Sequence, residues 1–198
     1  MALDPPGSVS GYLARLLINE APFPGEHGWV SEADSKAAML SVLWVLESRL
    51  KYVPSGYTQE QIAATRVRDI IDVITAGGVK GQCDGFYRDA QGHPASVPRV
   101  QERINYLMSI ANKGTPGRFA RLLTHAQGLA SAYVTGGALA ADRYAGIARI
   151  GTVAVTGRAY SWMTNADCYH PGGTFVPIPD SYQGMLGGNR FFTLKEKR

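Results

Sequence analysis

Hydrophobic positions along this chain fall first into helical repeats and only near the end into alternation. Leu13, Leu16 and Leu17 recur at the spacing of one buried helix face. Ser8 or Ser10 can cap that helix, and Pro22 and Pro24 stop it near Ala21. Ser31 or Asp34 caps a second helix, to about Lys51. Its apolar residues, from Ala37 to Leu46, cover nearly the whole circumference, which predicts a central helix wrapped by others; Glu47 and Arg49 come only in the last turn. Ile62, Val67, Ile70, Ile71 and Ile74 predict a third helix from Thr58 to about Thr75, stopped by Gly77-Gly78. Residues 77–97 read as an irregular loop. Two more helices follow, one marked by Val97, Val100, Ile104, Leu107, Met108 and Ala111, the other by Phe119, Leu122, Leu123, Ala126, Leu129, Ala130 and Tyr133. Thr115-Pro116 opens the latter and Gly136-Gly137 closes it. From about Ala145, residues such as Ile147, Val153, Val155, Tyr160 and Trp162 favour extended structure, and Gly187-Gly188 reads as a turn feeding a short strand. Helices first and a small strand-and-loop section last predict one domain over 1–198, mainly α within the α+β class.

Composition changes this picture little. The chain has 198 residues, 45% hydrophobic and 18% charged, which is enough for one packed core. A net charge of +4 suits an anionic polymer, cell wall or nucleic acid, without choosing between them. The two cysteines, Cys83 and Cys168, could form one disulfide or stay free. The N-terminus lacks the basic region and continuous apolar core of a Sec signal, and no apolar run reaches membrane-spanning length. Action outside the cytoplasm would therefore call for another delivery device. No two of His27, His93, His125 and His170 have a metal-ligand spacing, so neither metal nor cofactor is expected.

The candidate chemistry gathers at the end of the first helix. Glu20 lies three and four residues past Leu17 and Leu16, on the same apolar face. A carboxylate there is costly unless it is paired, hydrogen-bonded or protonated. It is either a general acid with a raised pKa or the ion-pair partner of an arginine such as Arg49. Glu26, Glu32 and Asp34 could supply a second carboxylate. Tyr160 and Trp162, two apart on an expected strand, would face the same way and could stack on sugar rings or fill the core. Tyr169, His170 and Asn189 sit in glycine-rich loops that could hold a ligand, and His27 and Trp29 could form a rim near Glu20. Cys83 could be a nucleophile partnered by His170, which would make the chain a cysteine amidase or endopeptidase of peptidoglycan. A third class is a non-enzymatic glycan-binding structural module.

The run Ala14-Arg15-Leu16-Leu17-Ile18-Asn19-Glu20-Ala21, followed by Gly25-Glu26, resembles the opening helix of the cell-wall hydrolases related to spore cortex-lytic enzymes. The helix Ala38 to Leu50 is similar to that family's second helix, although Ser48 stands where asparagine is usual. Gly81-Gln82-Cys83-Asp84-Gly85-Phe86 echoes its Gly-Gln-Phe loop, and Gly188-Asn189-Arg190-Phe191-Phe192 its closing strand. The likeness covers both ends of the chain and is weak over 88–158. It implies a lysozyme-like fold and a peptidoglycan glycosidase, lytic transglycosylase or muramidase, with Glu20 as acid and base and Glu26 as its assistant. It implies glycan strands as the partner, not nucleic acid or a membrane. A phage lysis protein or an antibacterial effector, made in the cytoplasm and acting on the wall, fits the missing leader; an effector would have a cognate immunity protein.

Overall fold

A computed structural model describes residues 2–113, 116–164, 173–181 and 183–197. The first helix, α1, spans Val9–Glu20, and Ser8 caps it by accepting a hydrogen bond from the Gly11 N–H. All its residues from Gly11 to Ile18 are buried, not one face only. Two features explain this. Arg15 donates to the carbonyls of Asp4 (2.8 Å) and Gly11 (2.7 Å), so its charge is satisfied under the N-terminal segment. That segment crosses α1 at Gly11, where a Cβ would lie 2.1 Å from the Pro5 carbonyl oxygen.

The second helix, α2, spans Glu32–Lys51, capped by Ser31. Its residues 41–49 are buried except Trp44, while its first turns stay partly open. The more enclosed helix is therefore α1, which packs against α2, α5 (Pro98–Ala111) and α6 (Arg118–Thr135). The single helix expected over 58–75 is two: α3, Gln59–Ala63, and α4, Ile70–Thr75. Ala64 turns left-handed at φ +60°, and Asp69 starts α4 by accepting from the Asp72 N–H. Ile62 and Val67 are five apart, so the apolar repeat breaks where the helix does. Residues 77–97 hold more order than expected: a 3₁₀ turn at Gly78–Lys80, then the antiparallel hairpin β1 (Phe86–Arg88) and β2 (Pro94–Ser96).

The last third is sheet. The strands β3 (Ile147–Ile150) and β4 (Val153–Gly157) form a second hairpin. The strands β5 (Ser161–Met163), β6 (Phe175–Pro177) and β7 (Arg190–Leu194) form an antiparallel sheet with β7 central, pairing Trp162 with Phe191 and Val176 with Thr193. The architecture is α+β, with one large core joining α1, α2, α4, α5 and α6 to Trp162 and Phe191.

The entry to β7 fixes the site. Leu186 and Asn189 exchange two backbone hydrogen bonds, 2.8 and 3.0 Å, around Gly187 and Gly188. Both glycines have positive φ (50° and 68°), as a tight two-residue hairpin demands. Gly188 lies against Gly28, where an added Cβ at Gly28 would come within 2.8 Å of the Gly188 Cα. The loop after α1 and the turn before β7 thus cross with no side chain between them. Among the described residues no helix is long and apolar enough to cross a membrane.

Candidate active site

The C-terminal end of α1 is where distant segments meet. The last carbonyls of a helix lack partners within it, and Pro22 cannot extend α1. Three of these acceptors are satisfied by side chains from far along the chain. Arg103 of α5 donates to the carbonyls of Ile18 (2.7 Å) and Ala21 (3.1 Å). Asn189 donates to the carbonyl of Glu20 (2.7 Å) and to that of Gly187 (3.1 Å). The remaining edge of the Arg103 fork holds Glu26, with Nε–Oε1 at 3.0 Å and Nη2–Oε2 at 2.5 Å, and Glu26 also accepts from the Phe23 N–H at 2.7 Å.

Glu20 is the last residue of α1 and only 9% exposed. Its Oε2 accepts from the Trp162 indole N–H at 2.8 Å, and its Oε1 from the Asn19 amide at 3.2 Å. No ion pair with Arg49 forms. Arg49 instead lies over the Trp162 ring, 5.2 Å from its centroid, and its Nε donates to the Tyr160 carbonyl at 2.7 Å. Burial pushes the Glu20 carboxyl above its ordinary value; the Trp162 and Asn19 hydrogen bonds and the charge of Arg103 oppose this, and Asp84 adds to it.

Glu20 stands at the junction of linked recesses. One, about 130 Å³, is lined by Glu20, Glu26, His27, Arg103, Gly187, Gly188 and Asn189, among others. A larger one, about 480 Å³, is lined by Gly81, Gln82, Asp84, Arg99, Trp162 and Met163 and shares Asn19, Glu20 and Thr164 with the first. On the other side a recess of about 260 Å³, lined by Trp29, Val30, Asp34 and Met185, shares His27, Gly187 and Gly188. Together they make an extended channel with a buried carboxyl near its middle, a shape suited to a linear polymer.

Several expected site residues take other places. Tyr160 precedes β5 and does not share a face with Trp162. It is 1% exposed, packs with Ile62, Ala63 and Leu194, and its hydroxyl donates to the Tyr52 carbonyl. It cannot meet a sugar. Trp162 is 7% exposed with Arg49 on one face, so it holds Glu20 and is not an open stacking platform. Asn189 is fully buried and braces the end of α1 from beneath the recess. Glu32 is taken by Lys36 and Arg121, and Asp34 accepts from the Ser31 hydroxyl. Trp29 does line the channel, half-buried against the core. Tyr169, His170 and Cys168 lie outside the described residues.

Cys83 is 1% exposed within the main core, and burial, reinforced by Glu20, pushes its thiol far up. A thiol so placed supplies no thiolate for attack, which removes the physical basis of the cysteine-peptidase reading. Arg103, Arg99, Asp84 and Thr164 were not singled out in the sequence. Arg103 sits beside the apolar stripe of α5, and nothing local marks it as the brace of a helix 80 residues away. No group of three or more His, Cys, Asp or Glu side chains among the described residues could hold a metal ion. No family model matches the chain, and neither curated proteins nor solved structures provide a match.

Proposed function

We propose that this protein cleaves the glycan strands of bacterial peptidoglycan between N-acetylmuramic acid and N-acetylglucosamine, with Glu20 as the proton carrier. One observation carries the reading: a buried carboxyl with a raised pKa, held by Trp162 and Asn19, opens at the junction of an elongated channel. The choice of polymer rests on the likeness of residues 14–26, 38–50, 81–86 and 188–192 to the spore cortex-lytic group, and a lysozyme-like arrangement of the acid-bearing helix belongs to the same reading. Gly81, Gln82 and Asp84 of the third of these stretches line the larger recess.

The protonated Glu20 carboxyl gives its proton to the glycosidic oxygen as the bond from that oxygen to the muramic acid C1 breaks. The sugar cation is captured either by its own 6-hydroxyl, closing a 1,6-anhydro ring, or by water. In both routes Glu20, now a carboxylate, accepts the proton of the attacking oxygen and is restored. One carboxyl suffices for the first route. Glu26 is bound by Arg103 and the Phe23 N–H through both oxygens, so its part is to fix the end of α1 beside Glu20. A phage lysis protein or an antibacterial effector, acting at the wall, is the setting this chemistry fits.

Digestion of purified peptidoglycan, read by mass spectrometry, tests the proposal. Anhydro or reducing-end muropeptides are expected from the wild type and none from Glu20→Gln. Retained cleavage by Glu20→Gln overturns the role of Glu20; binding of glycan with no products would make the chain a glycan-binding module; cut stem peptides would make it a peptidase.

A further inference from the structure

Arg49 is the least explained charge in the fold. It lies near the end of α2, 4% exposed, and no carboxylate pairs with it among the described residues. Its Nε donates to the Tyr160 carbonyl, and its Nη1 is buried with no partner. Isolated cations in a protein interior are expensive. Burial pulls this guanidinium down to about 10, so it remains a cation at neutral pH. What it does touch is informative. Its guanidinium carbon lies over the Trp162 ring, and the N–H at the edge of that ring points at Glu20. A cation on an indole face draws electron density toward itself, and in a desolvated setting such contacts are at their strongest. The N–H on the ring edge then becomes a better donor.

We propose that Arg49 is the buried counter-charge of Glu20, acting through Trp162: it strengthens the indole N–H···Oε2 hydrogen bond at the moment the carboxyl has lost its proton. Arg49 is a positioning residue here, since it reaches the acid only through Trp162. The inference rests on reading Glu20 as the proton donor. It explains how one buried group can both give and retake a proton. Burial favours the neutral acid before transfer; the Arg49–Trp162 stack supports the carboxylate afterwards.

The groups around Glu20 leave this task open. On α1 the neighbour is the neutral Asn19 amide. From α5 comes Arg103, whose fork is filled by two carbonyls and Glu26. From the segment before β1 come Asp84, paired with Arg99 at 2.6 Å, and the buried Cys83, which feels the charges of both Glu20 and Arg49. His27 lines the recess from the loop after α1. From β5 comes Trp162 alone, with Arg49 behind it.

The test is a carbon-13 titration of the Glu20 carboxyl in the full chain, assigned with Glu20→Gln. Arg49→Met should lower its ionisation constant roughly tenfold, the scale of one cation acting across a low-dielectric gap of about 10 Å. Arg49→Lys keeps the charge without the planar stack and should give a smaller fall. In a Trp162→Phe background, which keeps a ring but has no N–H, the Arg49→Met effect should shrink to less than about threefold. An unchanged titration in Arg49→Met overturns the proposal, and so does an equal effect with and without the indole N–H. If Arg49→Met does not fold, Arg49→Lys carries the same cycle. In glycan digestion the alkaline limb should move to higher pH as the plateau rate falls; a merely structural role would lower the plateau and leave the limb in place. Retained cleavage by Glu20→Gln would refute the glycosidase reading, while the titration would still report the Arg49–Trp162–Glu20 coupling.

Discussion

Replacing Arg103 with methionine should loosen the end of α1 and disable Glu20 together. The guanidinium makes four hydrogen bonds, two to the carbonyls of Ile18 and Ala21 and two to Glu26, and it lies over the Phe23 ring. Each helix-end carbonyl left without its donor costs on the order of 1 kcal/mol. The ion pair is partly exposed, 25% on the arginine and 34% on the glutamate side chain, so solvent screening holds it to roughly 0.5–1 kcal/mol. Methionine keeps most of the stem packing on Phe23. The expected loss is about 2–4 kcal/mol, which in a domain of this size lowers Tm by roughly 5–12 °C. Thermal unfolding by circular dichroism measures it. Arg103→Lys should fall in between, because an ammonium cannot span the two carbonyls and both Glu26 oxygens at once. Glycan cleavage, assayed well below Tm, should drop at least about tenfold, because displacement of the acid by even an ångström is costly. A Tm change under 2 °C in Arg103→Met would mean that water satisfies those carbonyls equally well. A full Tm loss with unchanged cleavage would separate Arg103 from the site, and the reasoning would fail there.

Two further outcomes follow from burial. Glu20→Gln should gain stability relative to the wild type as pH rises above the carboxyl's ordinary value of 4.5. Between that value and the raised folded one, the native protein keeps a proton the unfolded chain has lost, so wild-type stability falls with pH in this window and then levels off. Denaturant melts from pH 4 to 8 measure the gap, and a pH-independent gap would refute the raised value. Cys83→Ala should keep full glycan cleavage while losing about 1–2 kcal/mol from a small core cavity, and the native thiol should resist alkylation; loss of cleavage with an intact fold would return Cys83 to the chemistry.

Much of the helical frame was legible because its signals are local. Ser8, Ser31, Pro22 and the Gly136 stop act within a few residues of where they stand, and α1, α2, α5 and α6 fall where those residues put them. The awkward position of Glu20 was equally local, a charge on an apolar face. Its partners were not. Arg103, Trp162 and Asn189 come from three other elements, 83, 142 and 169 positions further along, and no periodicity links them to α1. The Tyr160–Trp162 pair shows the limit most clearly. A spacing of two places side chains on one face only within one strand, and β5 begins after Tyr160. The same spacing therefore sent one ring under Tyr52 and the other against Glu20.

Glu20 owes its chemistry to being the last residue of α1. The carbonyl end of a helix carries partial negative charge, which disfavours an anion there and acts in the same direction as burial. A carboxylate at that point would be untenable with nothing to meet it. The fold answers by capping the backbone and leaving the side chain in use. Arg103 and Asn189 take the carbonyls, which removes the need for water or a further turn of chain at the helix end. Only Trp162 and Asn19 touch the carboxyl itself, and both are neutral donors. Neutral donors can hold either protonation state, whereas a direct arginine pair would fix the anion and end its use as an acid. Keeping the nearest buried cation, Arg49, on the far face of an indole is thus the arrangement that lets a single glutamate serve in both directions.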